Sequence, residues 1–255
     1  MNLMTGTLLL AAGAVGGIVN ALAGGATLIT FPAMLAAGLP AIAANASNAV
    51  AISPGHLIAA LADRSRLPPF DKRLCLLTLC ALIGGALGGL VLLHISERDF
   101  TLPVPALIAF ATALFALAPT IQRRAEQRHE ALGRSRTQYR ALGSIGLASV
   151  YGGFFGAGLG VMLTAVLAIT EPGDLRSVKA LKNLLATAVS AAAVLVFIVK
   201  GIVVWPPTLV MLVGAAVGGY AGGHLIRILP ATTVRRIVIV AGVAMTIIYA
   251  YRYWW

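Results

Sequence analysis

Gly17-Ile18-Val19-Asn20-Ala21-Leu22-Ala23-Gly24-Gly25-Ala26-Thr27-Leu28-Ile29-Thr30-Phe31-Pro32 carries no charge, yet it is not a plain hydrophobic helix. Two adjacent glycines interrupt it, with Asn20, Thr27 and Thr30 around them. A backbone broken at membrane depth must have its polar groups satisfied by protein, water or ligand. The stretch therefore reads as a helix that breaks and restarts around a polar cavity. It lies in a longer run, 1–62, without Asp, Glu, Lys or Arg.

Further charge-free runs cover 74–96, 100–122, 141–170, 183–199, 201–226 and 237–251. Most reach the roughly 20 apolar residues that a membrane helix needs. Charged residues make up 11% of the 255-residue chain, against about 25% in a soluble domain. Mean hydropathy is +0.93. Transmembrane barrels alternate apolar and polar residues, and these runs do not. The expected fold class is therefore an all-α integral membrane protein. Met1-Asn2-Leu3-Met4-Thr5 lacks a basic leader, so the first segment is expected to stay in the mature protein. Cys75 and Cys80 have no metal-ligand spacing and read as small core residues.

The chain repeats itself. Gly84-Gly85-Ala86-Leu87-Gly88-Gly89 recurs as Gly218-Gly219-Tyr220-Ala221-Gly222-Gly223, an offset of 134. Asn48 and Asn183 lie 135 apart, as do Gly25 and Gly160, while Pro68-Pro69 and Pro206-Pro207 lie 138 apart. The order and spacing divide the chain into a first membrane repeat, 1–121, a basic linker, 122–140, and a second repeat, 141–255. Gly84, Gly88, Gly218 and Gly222 are spaced to let helix backbones approach closely.

The net charge of +11 gathers between the apolar runs, which points to membrane orientation rather than nucleic acid. If 6–37 and 142–170 each enter and return as broken hairpins, only Arg98, Lys200 and Arg252 of the 19 Lys and Arg fall on the outer side. The linker, with six arginines beside Glu126 and Glu130, then faces the cytoplasm and the anionic lipid headgroups of the bilayer. Each repeat becomes a re-entrant Gly-rich hairpin plus three transmembrane helices, and the second repeat is inverted. Inverted repeats with broken helices place a substrate site near the midplane. Trp205, Trp254 and Trp255, with Tyr249, Tyr251 and Tyr253, read as interfacial belt residues.

All eight acidic residues lie between the runs, so a cation substrate and a carboxylate proton relay are both disfavoured. What remains inside donates hydrogen bonds. The candidate substrate-binding residues are Asn20, Gly24, Gly25, Thr27, Asn45, Ser47 and Asn48 in the first repeat. In the second they are Gly156, Gly158, Gly160, Lys182 and Asn183. Restarting helices aim free N–H groups and a positive dipole end into the cavity, and Asn amides and Thr hydroxyls add donors. Asn45 and Asn48 share a face of a helix that starts after Pro40, with Asn48 roughly 10 Å along it. Lys182 has two readings: an interfacial anchor, or the fixed positive charge of the site. His56 could couple transport to protons or simply be a buried, bonded histidine. No catalytic motif and no nucleotide loop is present, so no enzyme activity, cofactor or metal is expected.

The stretch from Gly17 to Pro32, followed by Ala44-Asn45-Ala46-Ser47-Asn48 and Tyr151-Gly152-Gly153-Phe154-Phe155-Gly156-Ala157-Gly158, resembles the sulfite exporter TauE/SafE family. The resemblance runs over essentially the whole chain; Ala26 stands where the family often has a third glycine. It implies a bacterial inner-membrane permease for sulfite, sulfoacetate or related organosulfonates. The residues alone reach a small-anion carrier. They leave open uptake of another anion or a carboxylate, a non-transporting scaffold subunit, and self-association into a homo-oligomer.

Overall fold

The computed structural model describes residues 2–22, 25–132, 137–170, 175–225 and 231–255. The chain forms α1 (Leu3–Leu22), α2 (Thr27–Ala36), α3 (Ala41–Ala62), α4 (Lys72–His94), a short α5 (Glu97–Thr101) and α6 (Val104–Leu132). It continues through α7 (Thr137–Phe154), α8 (Leu159–Thr170), α9 (Leu175–Val199), α10 (Trp205–Leu225) and α11 (Ala231–Trp254). No strand occurs among the described residues. The fold is all-α, as the unalternating apolar runs require. The stretch expected as a linker, 122–140, is carried largely by helical extensions of α6 and α7, and 133–136 lie outside the described residues.

The surface inverts the pattern of a soluble protein. On α4, Leu76, Leu79, Ile83, Leu87 and Val91 are exposed along one stripe, and on α11 Ile237, Val240, Ile247 and Tyr251 are too. Asn45, Asn48 and Asn183 are buried instead. Water would penalise so much exposed apolar area, whereas lipid accepts it. Among the described residues, five helical segments are long and apolar enough to cross a membrane, one in each of α1, α4, α9 and α11 and one through α5 and α6. The protein is an integral membrane protein.

Glycine sets the two tightest seams. A Cβ on Gly13 would fall 2.3 Å from the Met211 carbonyl oxygen, and one on Gly17 2.2 Å from that of Ala215, so α1 and α10 run parallel in close contact. On the α4–α7 seam a Cβ on Gly84 would meet Ser149 at 2.5 Å, and one on Gly88 would lie 2.0 Å from the Val150 carbonyl oxygen. The four-residue glycine spacing is therefore a packing device, with Gly84, Gly88 and Gly218 all at backbone contacts.

Local chemistry sets the helix ends. Pro40 precedes the first turn of α3. The Glu97 carboxylate accepts from the Ala41 and Ile42 amides there, placing a negative charge on the positive end of the helix. Asp71 Oδ1 accepts from the Leu74 amide at 2.8 Å and caps α4. These contacts and the helix directions separate two faces. The ends of α3 (C-terminal) and α4, α9 and α11 (N-terminal) share a basic face. Glu97, Lys200 and Trp254 mark the opposite one.

One aromatic departs from the expected belt. Tyr251 and Trp255 are exposed, but Tyr249 is 3% exposed and its hydroxyl donates to the Pro32 carbonyl oxygen at 3.0 Å. Tyr249 is thus a core residue that ties α11 to α2. Its hydroxyl finds a bond that a lipid-facing position would not offer.

Candidate functional site

The described part of the first helix break, Gly25 to Thr27, and the second break, Gly156 to Gly160, line one cavity. The α7–α8 break turns through Gly156 (φ 80°) and Gly158 (φ 83°), left-handed conformations that glycine adopts without strain. Tyr151 braces the turn by donating from its hydroxyl to the Ala157 carbonyl oxygen at 2.8 Å. Phe155 beyond it meets Phe31 of α2 edge-on, with ring centroids 5.3 Å apart. The turn ends one helix and starts another in a few residues, leaving backbone groups free on both sides. The N–H groups of Ala157, Gly158 and Gly160 find no acceptor among the described residues.

A cavity of about 50 Å3 lies where the breaks meet the basic-face half of α3 and the first third of α9. Of the expected site residues, Asn20, Gly25, Thr27, Gly156, Gly158, Gly160, Lys182 and Asn183 line it, as does His56. Gly24 lies outside the described residues. The wall is completed by Ile52, Gly55 and Ala59 of α3 and Ala186 of α9. Gly55 keeps α3 clear of Asn20, whose Nδ2 would be 2.8 Å from a Cβ there.

Lys182 lines this cavity rather than lying solely at the surface. No hydrogen bond or ion pair ties its ammonium to another described residue. Asn183, its neighbour, is 4% exposed and donates from Nδ2 to Asp63 Oδ2 at 2.7 Å. Asp63 follows the last residue of α3, and its charge also acts on Lys182. A carboxylate therefore stands at the basic-face end of the cavity, although every acidic residue lies between apolar runs. Its position as the first charge after residue 62 was the only signal of it in the sequence.

The remaining expected residues lie elsewhere. Asn45 and Asn48 line a second, smaller chamber of about 30 Å3, on the other side of Thr27, Ile52, His56, Gly156 and Leu159. These five residues border both spaces. Asn45 Nδ2 donates to the Phe154 carbonyl oxygen at 2.8 Å. Ser47 borders neither chamber. It is fully buried, and its hydroxyl oxygen accepts from the Val204 amide at 3.0 Å, holding the loop between α9 and α10. Ser190, another α9 hydroxyl, does border the smaller chamber.

An apolar-skinned helical body that closes around a polar chamber between two helix breaks defines a membrane transporter. The chain belongs to the sulfite exporter TauE/SafE family, whose model matches residues 9–249. It is 25% identical over 250 residues to a probable membrane transporter protein of Haemophilus influenzae, covering 97% of this chain and 95% of that one. It is 26% identical over 233 residues to the probable membrane transporter protein YfcA of Escherichia coli K12, covering 90% of this chain and 84% of that one. No solved structure matches it.

Proposed function

We propose that the chain is a secondary carrier of small anions, with sulfite and organosulfonates as the first substrate class, in a bacterial inner membrane. The observation that carries this reading is the larger cavity: Lys182 and the free amides at the start of α8 converge there. An anion held there exchanges its hydration for a fixed charge and for donors already in place. Without both, desolvation would exclude it. The sulfur-containing class comes from the family, and the anion class from the chamber.

The carrier works as two inverted repeats, 1–121 and 141–255, that rock about the shared cavity. Support comes from the helix directions and from the pairing of α1 with α10 and of α4 with α7, which exchanges equivalent helices between the repeats. The α1–α2 hairpin enters from the Glu97 face and the α7–α8 hairpin from the basic face. The basic face, with the 122–140 segment, is cytoplasmic. Substrate reaches the cavity from one face, and rocking opens it to the other.

The test is anion flux into liposomes containing the purified protein, comparing sulfite, sulfoacetate, sulfate and acetate, beside a Lys182→Ala variant. Flux of the sulfur oxyanions that collapses in the variant is the expected result. Absence of flux for every anion, from folded protein, would move the reading to a scaffold subunit. One observation favours a second substrate class. Asn183 already donates to a carboxylate, that of Asp63, so organic carboxylates belong in the same panel.

A further inference from the structure

The two adjoining chambers differ in the groups that they add to their shared wall: Lys182 in one, Asn45 and Asn48 in the other. The larger one is lined by Lys182 and by the N-terminal start of α8. The smaller one shares Thr27 and Leu159, the first residues of α2 and α8, but not Lys182, and it also lies against the C-terminal end of α7, a negative dipole end. Asn45 and Asn48, three residues apart on α3, line it too. Both are deeply buried, at 2% and 1% exposure.

Each carries a buried side-chain oxygen without a partner. Asn45 Nδ2 donates to Phe154, whose carbonyl oxygen can only accept, so the amide orientation is fixed by chemistry. Asn45 Oδ1 is then left without a partner, and Asn48 Oδ1 has none either. A buried amide oxygen with no donor costs about 1–3 kcal/mol. Two such oxygens on one helix face, beside the negative end of another helix, are suited to a cation and would repel an oxyanion. Thr27 and Ser190 add hydroxyl oxygens to the same lining.

We infer that the smaller chamber binds a monovalent cation of sodium size, which the carrier moves together with its anion. The volume of about 30 Å3 admits one such ion, being room for about two water-sized particles. The ligands are neutral oxygens. Among the described residues no group of His, Cys, Asp or Glu is placed to hold a metal, and a divalent cation would call on carboxylates. A cation beside the anion offsets its charge, which lowers the cost of carrying it through the bilayer. The coupling step rests on the anion-carrier reading; the cation site does not.

Two measurements keep those apart. The first is thermal unfolding of the purified protein in sodium against choline at fixed ionic strength and pH, with no substrate. A saturable upward shift in sodium is expected, absent in Asn48→Ala, preserved in Asn48→Asp and preserved in Lys182→Ala. The second is anion flux driven by a sodium gradient in liposomes, expected to exceed flux in choline by about tenfold, a common size for coupling between two sites. Sodium stabilisation without anion flux would keep the site and overturn the carrier reading. Flux with no sodium dependence in either assay would overturn the site. A flux that follows a pH gradient at constant sodium would overturn it as well, pointing to His56 instead. If Asn48→Ala does not fold, the wild-type comparison of sodium with choline and the Asn48→Asp variant decide the matter alone.

Discussion

Ser47 and Lys182 stand 135 residues apart, each just before one of the matched asparagines, Asn48 and Asn183. In the first half Ser47 is buried and spends its hydroxyl on the Val204 amide. In the second half Lys182 faces the larger cavity. The asparagines divide in the same way. Asn48 keeps an unpartnered oxygen at the smaller chamber, while Asn183 is bonded to Asp63. On the two-repeat reading proposed above, matched positions have diverged in chemistry, so that two similar halves hold two unlike chambers. The seams differ too. Gly85 and Gly219 are matched glycines, but a Cβ on Gly85 would lie 2.4 Å from the Val189 carbonyl oxygen, while one on Gly219 would meet nothing within 4 Å.

That last contrast predicts the largest effect. Gly85→Ala forces α4 away from α9, backbone against backbone, and no side chain there can yield. Overpacking of this kind costs about 1–3 kcal/mol and sometimes more, so little folded protein is expected in the membrane. Gly219→Ala should leave yield and melting temperature unchanged or slightly raised, since alanine favours helix over glycine by about 1 kcal/mol. Size-exclusion profiles of detergent-solubilised protein over a heating series would compare them. Equal damage at both positions would mean that the seams are equivalent after all.

Next is the pair that opened the comparison. Lys182→Ala should lower anion flux about tenfold or more, because it removes the charge that replaces the hydration of the anion. Ser47→Ala should leave flux per folded molecule near wild type and cost about 1 kcal/mol of stability, the worth of one hydrogen bond. Flux in liposomes, normalised to folded protein, separates the two. The reverse ranking would place the site in the first half.

A smaller effect is expected at the cavity's end. Asp63→Asn keeps an oxygen for the Asn183 amide but removes a negative charge that competes with the substrate. The apparent KM for the anion should fall by up to about fivefold, the reach of a partly solvated charge pair. A raised KM, with a lowered melting temperature, would make Asp63 a support for Asn183 instead of a competitor.

Much of this was legible in the residues. Charge-free runs, broken glycine stretches and the Pro40 start gave the helices. The broken glycine stretches with Asn20 and Thr27, and the Lys182-Asn183 pair, named eight residues that line the larger cavity, whereas Asn45 and Asn48 line the smaller one. The rest depended on contacts between distant segments. Asp63 meets Asn183 across 120 residues, and no local pattern links them. Ser47 looked like part of an Asn-Ser-Asn site because neighbouring helix positions cannot reveal which faces the loop at Val204. Periodicity also cannot tell which end of an asparagine amide is free, so Asn45 read as a donor until its bond to Phe154 fixed its orientation.

Tyr249 is the same lesson on a smaller scale. Its place near the chain end, among Tyr251, Tyr253 and two tryptophans, is the composition of an interfacial belt. Its hydroxyl nevertheless holds Pro32, where proline inside α2 shapes the arm that returns from the first break. The residue 135 positions earlier, Leu114, approaches the second hairpin through its side chain, which a Cβ on Gly158 would meet at 3.2 Å. One hairpin is therefore braced by a polar bond and the other by apolar packing. Tyr249→Phe should cost about 1 kcal/mol, visible as a modest drop in melting temperature. Flux per folded molecule should be unchanged, because the hydroxyl touches neither chamber. A change in flux at unchanged stability would mean that the Tyr249–Pro32 bond breaks and forms as the first hairpin moves, which would make the polar-braced hairpin the moving one.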